Sequence, residues 1–258
     1  MSLAKQVAVI TGASSGIGYE LAKSLARRGC PVGVLARRQD RLEALVGEIE
    51  AAGGRAALAV ADVADRTQTG AAFRSLRDQL GPVDLLVANS GVGIPTLLEP
   101  MNVDDVEQMF KVNTLGVVYA MEAVLPEMLE RGRGHVAAIS SLAAFLAMPG
   151  ESAYCASKAA VNTYMECLRM QVRHRGIHVT TICPGFIETP MTAQNKFTMP
   201  WLMKADQAAE YIAWALERKK TLYCFPWQMS LLITVAGWLP SWFVEWAVRD
   251  KAGVRPEP

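Results

Sequence analysis

Six short apolar, β-branched runs constrain this chain most: 6–10, 32–36, 56–60, 84–88, 134–140 and 177–183. Amphipathic stretches fill the intervals, roughly 16–28, 39–52, 66–80, 103–131 and 152–175. Each run is mostly apolar along its length and does not alternate, the pattern of a strand covered on both faces. Strands that alternate with helices through right-handed crossovers build a parallel sheet with helices on either side. The expected fold class is therefore α/β, a doubly wound parallel sheet. A chain of 258 residues that is 51% hydrophobic is long enough for one such core. No repeat or low-complexity linker divides it, so residues 1–258 read as a single domain.

Several function classes drop out early. A formal charge of +1 gives no electrostatic footing for nucleic acid. The cysteines at 30, 155, 167, 183 and 224 form no CxxC and no regular spacing. An odd count without an export signal reads as reduced thiols in a reducing, cytoplasmic compartment. The chain enters its first apolar run within a few residues, so no export sequence is expected ahead of the fold. His135, His174 and His178 have no cysteine or carboxylate cluster around them, and no metal site is expected.

The first turn is the next constraint. Thr11-Gly12-Ala13-Ser14-Ser15-Gly16-Ile17-Gly18 follows the first strand and opens a helix. Gly12 permits a tight turn, Gly16 lets backbone approach a pyrophosphate, and Gly18 allows close helix packing. The helix start offers unpaired N–H groups and a positive dipole end to phosphates. The second strand ends at Ala36 and is followed by Arg37-Arg38. A carboxylate at that place would accept from both ribose hydroxyls and repel a 2′-phosphate; a neutral residue with two guanidiniums suits the phosphate. NADP(H) is the expected cofactor. The plainer alternative is that Arg37 and Arg38 decorate the next helix start. Asp62-Val63 follows the third strand, where the carboxylate suits an adenine amino group or a helix cap, although Asp65 is the better cap. Asn89-Ser90-Gly91 follows the fourth strand. Gly91 permits close approach to a cofactor, and Asn89 is also placed to bridge neighbouring strands.

Tyr154 and Lys158 stand four residues apart on an expected helix, hence on one face about a turn apart. A cation so placed can lower a phenol pKa and make it a usable proton donor. Ser140 and Ser141 end a strand upstream, and Asn113 lies on an earlier helix.

Together these residues resemble the short-chain dehydrogenase/reductase family. The supporting motifs are the Thr11–Gly18 turn, Asn89-Ser90-Gly91, Asn113, Ser141, Tyr154-x3-Lys158 and Pro184-Gly185, in family order across about residues 5–190. Ser90 departs from the alanine common there. The resemblance implies a Rossmann-like fold and a tetrad of Asn113, Ser141, Tyr154 and Lys158. Tyr154 would be the general acid in reduction, and Ser141, chosen over Ser140, would hold the substrate oxygen. Lys158 would lower the Tyr154 pKa and bond the nicotinamide ribose. Asn113 would hold a water linking Lys158 to solvent, or satisfy a helix irregularity. Pro184, Gly185 and Ile187 would meet the nicotinamide carboxamide with backbone groups. Thr189 would add a hydroxyl there or cap the segment starting at Pro190.

The expected activity is interconversion of a carbonyl and an alcohol. The pocket walls, expected to include Val92, Ile94, Leu142, Phe145, Leu146, Met148, Phe186, Met191, Phe197, Met199 and Trp201, favour a lipophilic substrate. A 3-oxoacyl thioester reductase and a hydroxysteroid dehydrogenase are the enzyme alternatives, and an NADP-binding sensor or scaffold is the non-enzyme one. Residues 190–204 read as a substrate loop. Residues 221–258 read as a hydrophobic extension, with 221–244 free of charge. Proline and glycine interruptions argue against a membrane span. Two short amphipathic helices, about 228–238 and 241–249, are expected to meet the pocket, another subunit or a membrane surface. The long helices at 103–131 and 152–175 resemble those that pair in family homodimers and homotetramers.

Overall fold

A computed structural model describes residues 3–195 and 198–240 of the chain. In order, its elements are β1 (Ala8–Thr11), α1 (Gly16–Arg27), β2 (Val32–Ala36), α2 (Gln39–Ala51), β3 (Ala56–Val60), α3 (Arg66–Leu80), β4 (Leu85–Ala88) and α4 (Val103–Phe110). A π-helical turn (Lys111–Leu115) leads into α5 (Gly116–Arg131). Then follow β5 (Gly134–Ile139), α6 (Ser152–Val172), β6 (Ile177–Pro184), β7 (Ile187–Glu188), β8 (Met203–Lys204), α7 (Ala205–Glu217), β9 (Leu222–Phe225) and α8 (Trp227–Ala236). Seven strands form one parallel sheet in the order β3-β2-β1-β4-β5-β6-β9, and β7 pairs with β8 apart from it.

The non-alternating runs are explained by the two apolar layers they serve. Successive strand residues point to opposite faces. Val9 joins the layer built with α3, α5 and α6, while Ala8 and Ile10 join the layer built with α1, α2 and α7. Leu86 and Ala88 divide from Leu85 and Val87 in the same way. Both faces are thus apolar, and the chain reads as a continuous hydrophobic run. Asp65 caps α3, its carboxylate accepting from the Thr67 and Gln68 amides at 2.8 and 3.0 Å.

The sheet has one strand more than the six expected. β9 lies in the uncharged stretch expected to form an extension, and pairs with β6 from Thr181↔Leu222 to Pro184↔Phe225. An edge strand of four residues that is half-exposed carries little periodic signal. The expected helix 103–131 is interrupted by the π turn that holds Asn113. In the tail, α8 matches the first expected helix but is not amphipathic: Ile233 is buried while Leu231, Leu232 and Val235 are exposed. The second expected helix, at 241–249, lies outside the described residues. Among the described residues, no helix is long and apolar enough to cross a membrane.

His135 and His178 are register partners on β5 and β6. His135 is buried, with Nε2 2.8 Å from the Thr180 hydroxyl. Burial first, then His178 and Lys219, hold its pKa down at about 3. Its folded pKa lies below its unfolded value, so its neutral form favours folding fully above about pH 6.5, and that contribution is lost as pH falls toward 3. Between pH 7 and pH 5 the protein should lose about 2 kcal/mol of stability through this residue. Urea unfolding at both pH values checks it: His135→Gln should shift less with pH than the wild type by that amount.

Candidate active site

The sheet order reverses direction at β1, which lies between β2 and β4. Loops leaving the carboxyl ends of the strands part there and open a crevice. The crevice holds a cavity of about 320 Å³ lined by residues following β1 through β6.

At one end of the cavity is the glycine-rich turn. Gly12 and Gly16 have φ of +67° and +58°, conformations that L side chains rarely adopt. A Cβ on Gly12 would stand 2.8 Å from the Ser90 Cα, and one on Gly18 would stand 2.5 Å from the Asn89 amide nitrogen. That nitrogen donates to the carbonyls of Thr11 and Gly12, and the Thr11 hydroxyl accepts from the amides of Asn89 and Ser90. Asn89 thus bridges β1 and β4, the plainer of its two roles. The turn is held open at close packing, so backbone rather than side chain faces the cavity.

Arg38 bends over this turn. Its guanidinium donates to the Ser14 hydroxyl at 2.9 Å and to the Ser15 hydroxyl at 2.8 Å. Arg37 is 3.6 Å from the Asp62 carboxylate and largely exposed. Asp62 also accepts from the Ala64 amide. Ala36, Arg37, Arg38, Ser14, Ser15, Asp62 and Val63 all line the same end of the cavity, and Asp62, in the loop after β3, is the acidic residue among the described lining residues.

The other end carries the titratable pair. Ser141, Tyr154, Lys158, Pro184, Gly185, Ile187 and Thr189 line it. The Ser141 hydroxyl stands beside the Tyr154 phenol, on the same wall, and pulls its pKa down. Ser140 lines the cavity too, but its hydroxyl donates to the Lys158 carbonyl at 3.1 Å. The Lys158 ammonium is buried, donates to the Ile139 carbonyl at 2.9 Å, and stands 5.9 Å from the centre of the Tyr154 ring. Burial pushes the phenol up to about 12, against the pull of Ser141, and burial brings Lys158 down to about 8. In the chain alone the expected lowering of the phenol by the lysine is not found; desolvation sets the direction and the opposing pull is from Ser141.

Asn113 and Gly18 sit behind the cavity wall. Asn113 is fully buried; its Oδ1 accepts from the Val92 amide at 2.8 Å and its Nδ2 donates to the Val92 carbonyl and the Ser157 hydroxyl. A Cβ on Gly91 would stand 3.2 Å from the Lys158 ammonium and 3.4 Å from Asn113 Oδ1, so that glycine lets the two approach. Asn113 lies in the irregular turn and neighbours the lysine. Thr189 exchanges hydrogen bonds with Thr192, which fits its capping alternative.

Of the apolar walls expected, Val92 and Met191 line the cavity. Leu142 and Leu146 instead pack in a small core with Cys183 and Ile233 beneath α8. Phe145 and Trp201 are exposed, and Phe197 lies outside the described residues. Val112, Ile139 and Thr192 also line the cavity, beyond the residues expected there. Val112 and Ile139 belong to apolar runs and carry no signal beyond core.

Comparisons with known proteins bear on family and fold. A family model described as short chain dehydrogenase matches residues 6–199. An uncharacterized oxidoreductase of Myxococcus xanthus is 40% identical over 244 residues, covering 95% of this chain and 96% of that protein. The glycine betaine reductase ATRR of Emericella nidulans is 40% identical over 193 residues, 75% of this chain but 15% of that much longer protein. The ketoacyl reductase HetN of a Nostoc species is 30% identical over 202 residues, 78% of this chain and 70% of that one. Among solved structures, gox2181 superimposes with a TM-score of 0.80 at 25% identity, covering 86% of this chain and 94% of its own.

Proposed function

This chain belongs to the short chain dehydrogenase family, an oxidoreductase family that works with a nicotinamide dinucleotide, and from that premise we propose that it is an NADPH-dependent reductase of lipophilic carbonyls. The reaction reverses as alcohol oxidation. The observation that carries this reading is the gathering of Ser141, Tyr154 and Lys158 at one cavity wall, with the Lys158 ammonium 5.9 Å from the centre of the Tyr154 ring.

The cavity fits the dinucleotide on its own terms. The positive φ at Gly12 and Gly16 leaves a backbone cradle at the α1 start, where a pyrophosphate would meet free N–H groups. Ala36, Arg37 and Arg38, with Ser14 and Ser15, support a 2′-phosphate at the adenosine end. When bound, the cofactor supplies the hydride. Ser141 holds the carbonyl oxygen, and Tyr154 gives it a proton. A phenol held up at about 12 stays protonated at neutral pH, which is the form reduction needs. Lys158, whose charge is retained below about pH 8, stabilises the phenolate left behind. Asn113 and the π turn hold a route by which that phenolate regains its proton.

Lipophilicity rests on the lining. Arg37, Arg38 and Lys158 are the only cations among the described lining residues, and each has a role toward the cofactor or the tyrosine. None is left for a substrate phosphate or carboxylate. Assembly as a homodimer or homotetramer through α4, α5 and α6, and surface contact of the exposed α8 side chains with a membrane, belong to the same reading of a cytoplasmic enzyme.

The test is consumption of NADPH and NADH against a panel running from small aldehydes and sugars to steroids, long-chain ketones and 3-oxoacyl thioesters. Fastest turnover on lipophilic ketones with NADPH is the expected result. Fastest turnover on 3-oxoacyl thioesters would favour the second reading, which the name of the Nostoc relative supports. Fast turnover on sugars would overturn the substrate class. Cofactor binding with silence across the panel would favour the sensor or scaffold.

A further inference from the structure

Cys183 near the end of β6 and Cys224 on β9 are far apart in sequence but are register partners in adjacent parallel strands. Both side chains therefore leave the sheet on the same face. Neighbouring strands run about 4.8 Å apart, within the Cα separation of about 4.4–6.8 Å that a disulfide spans. Both pack in the same small core, where the Cys183 thiol donates to Asn162 Oδ1 at 3.7 Å. Cys183 is fully buried beside Leu142 and Ile233, while Cys224 is half-buried. Their chemistry is polarised. The neighbouring Cys224, with burial, pushes the Cys183 thiol up; the neighbouring Cys183, against burial, holds Cys224 below the usual thiol range. The more accessible sulfur is thus the better nucleophile, with a partner behind it.

The pair sits next to the cavity. Cys183 is followed directly by Pro184 and Gly185, which line it. Gly185 is clamped: a Cβ there would stand 2.8 Å from the Met229 sulfur and 3.0 Å from the Pro226 ring. Drawing the two sulfurs of these register partners to a bond of about 2.05 Å shifts the strand end that carries this turn.

We propose that Cys183 and Cys224 are a redox modification site, which a hydroperoxide closes to a β6–β9 disulfide, and that the closed form binds the nicotinamide cofactor more weakly. The Cys224 thiolate attacks the peroxide, forming an S–O bond as O–O breaks and one water leaves. The Cys183 sulfur then displaces the hydroxyl from Cys224; the S–S bond forms, the Cys183 proton leaves with the hydroxyl, and a second water is released. In sum two thiols lose two electrons and two protons to one hydrogen peroxide, giving a disulfide and two waters. The coupling rests on the dinucleotide reading and is independent of the substrate.

The experiment uses the full chain, first reduced and titrated with NADPH and NADH, then treated with hydrogen peroxide, alkylated and mapped by peptide mass spectrometry. Expected are a Cys183–Cys224 linked peptide and a cofactor Kd weakened about threefold or more, both reversed by dithiothreitol. Cys224→Ser should keep the basal affinity and lose the response. Absence of the linked peptide, its presence with unchanged affinity, or the same weakening in Cys224→Ser would overturn the proposal. Reduced protein that binds neither dinucleotide overturns the functional reading and the coupling with it, while the peptide map alone decides the disulfide. If Cys224→Ser does not fold, the wild-type map and its reversal by dithiothreitol still decide.

Discussion

Tyr154→Phe is expected to lower kcat by about 10²- to 10⁴-fold, the usual contribution of a positioned general acid, while leaving cofactor binding within a few-fold. The substitution removes one oxygen and keeps the ring, so the packing of α6 over the cavity is preserved. It also removes the phenol oxygen beside the Ser141 hydroxyl. That hydroxyl already accepts from the Ala143 amide at 3.1 Å, so the loop after β5 keeps its shape. The loss should therefore fall on turnover rather than on folding. The wild type should also lose kcat/KM for reduction as pH rises through about 8, because Lys158 gives up its charge there. A Tyr154→Phe variant that turns over its best substrate within tenfold of wild type would remove Tyr154 from the chemistry.

Replacing Arg37 and Arg38 together by alanine should lower kcat/KM with NADPH by about 10- to 100-fold. Each charge-assisted hydrogen bond to a phosphate contributes about 1.5–3 kcal/mol, partly offset here by solvent at the exposed Arg37. NADH has no 2′-phosphate and should change by no more than about threefold, which also reports whether the turn has loosened. That control matters because Arg38 holds Ser14 and Ser15 as well as facing the cavity. Equal losses with both cofactors would mean that the arginines merely brace the turn.

The layered α/β architecture was legible because its strands are buried on both faces, and the glycine-rich turn because its glycines occupy positive φ or sites without room for a Cβ. Tyr154, Lys158 and Ser141 were legible as a pattern of spacing, and the fold gathers them at one wall. What escaped is held by tertiary contact alone. Strand β9 is short, half-exposed and sited among tryptophans, so its partner β6 defines it more than its own residues do. Helix α7 also escaped, although its buried face, Ala208, Ala209, Ile212, Ala213 and Leu216, follows helical spacing. The irregular loop before it masks its start. Leu142 and Leu146 read as pocket walls because sequence cannot tell an apolar wall from an apolar core. The pairing of Cys183 with Cys224 is invisible for the same reason as β9: without the strand there is no register.

The place of β1 between β2 and β4 has a consequence for how this protein can change. Residues that face the adenosine side follow β2 and β3, whereas Ser141 follows β5 and Tyr154 and Lys158 ride on α6. Three strand spacings, about 14 Å, separate the end of β2 from the end of β5. At that range substitutions with no shared partner combine additively. Cofactor choice and proton chemistry are therefore separable traits: one can drift or be engineered without re-optimising the other, and a double-mutant cycle across the crevice should close near zero.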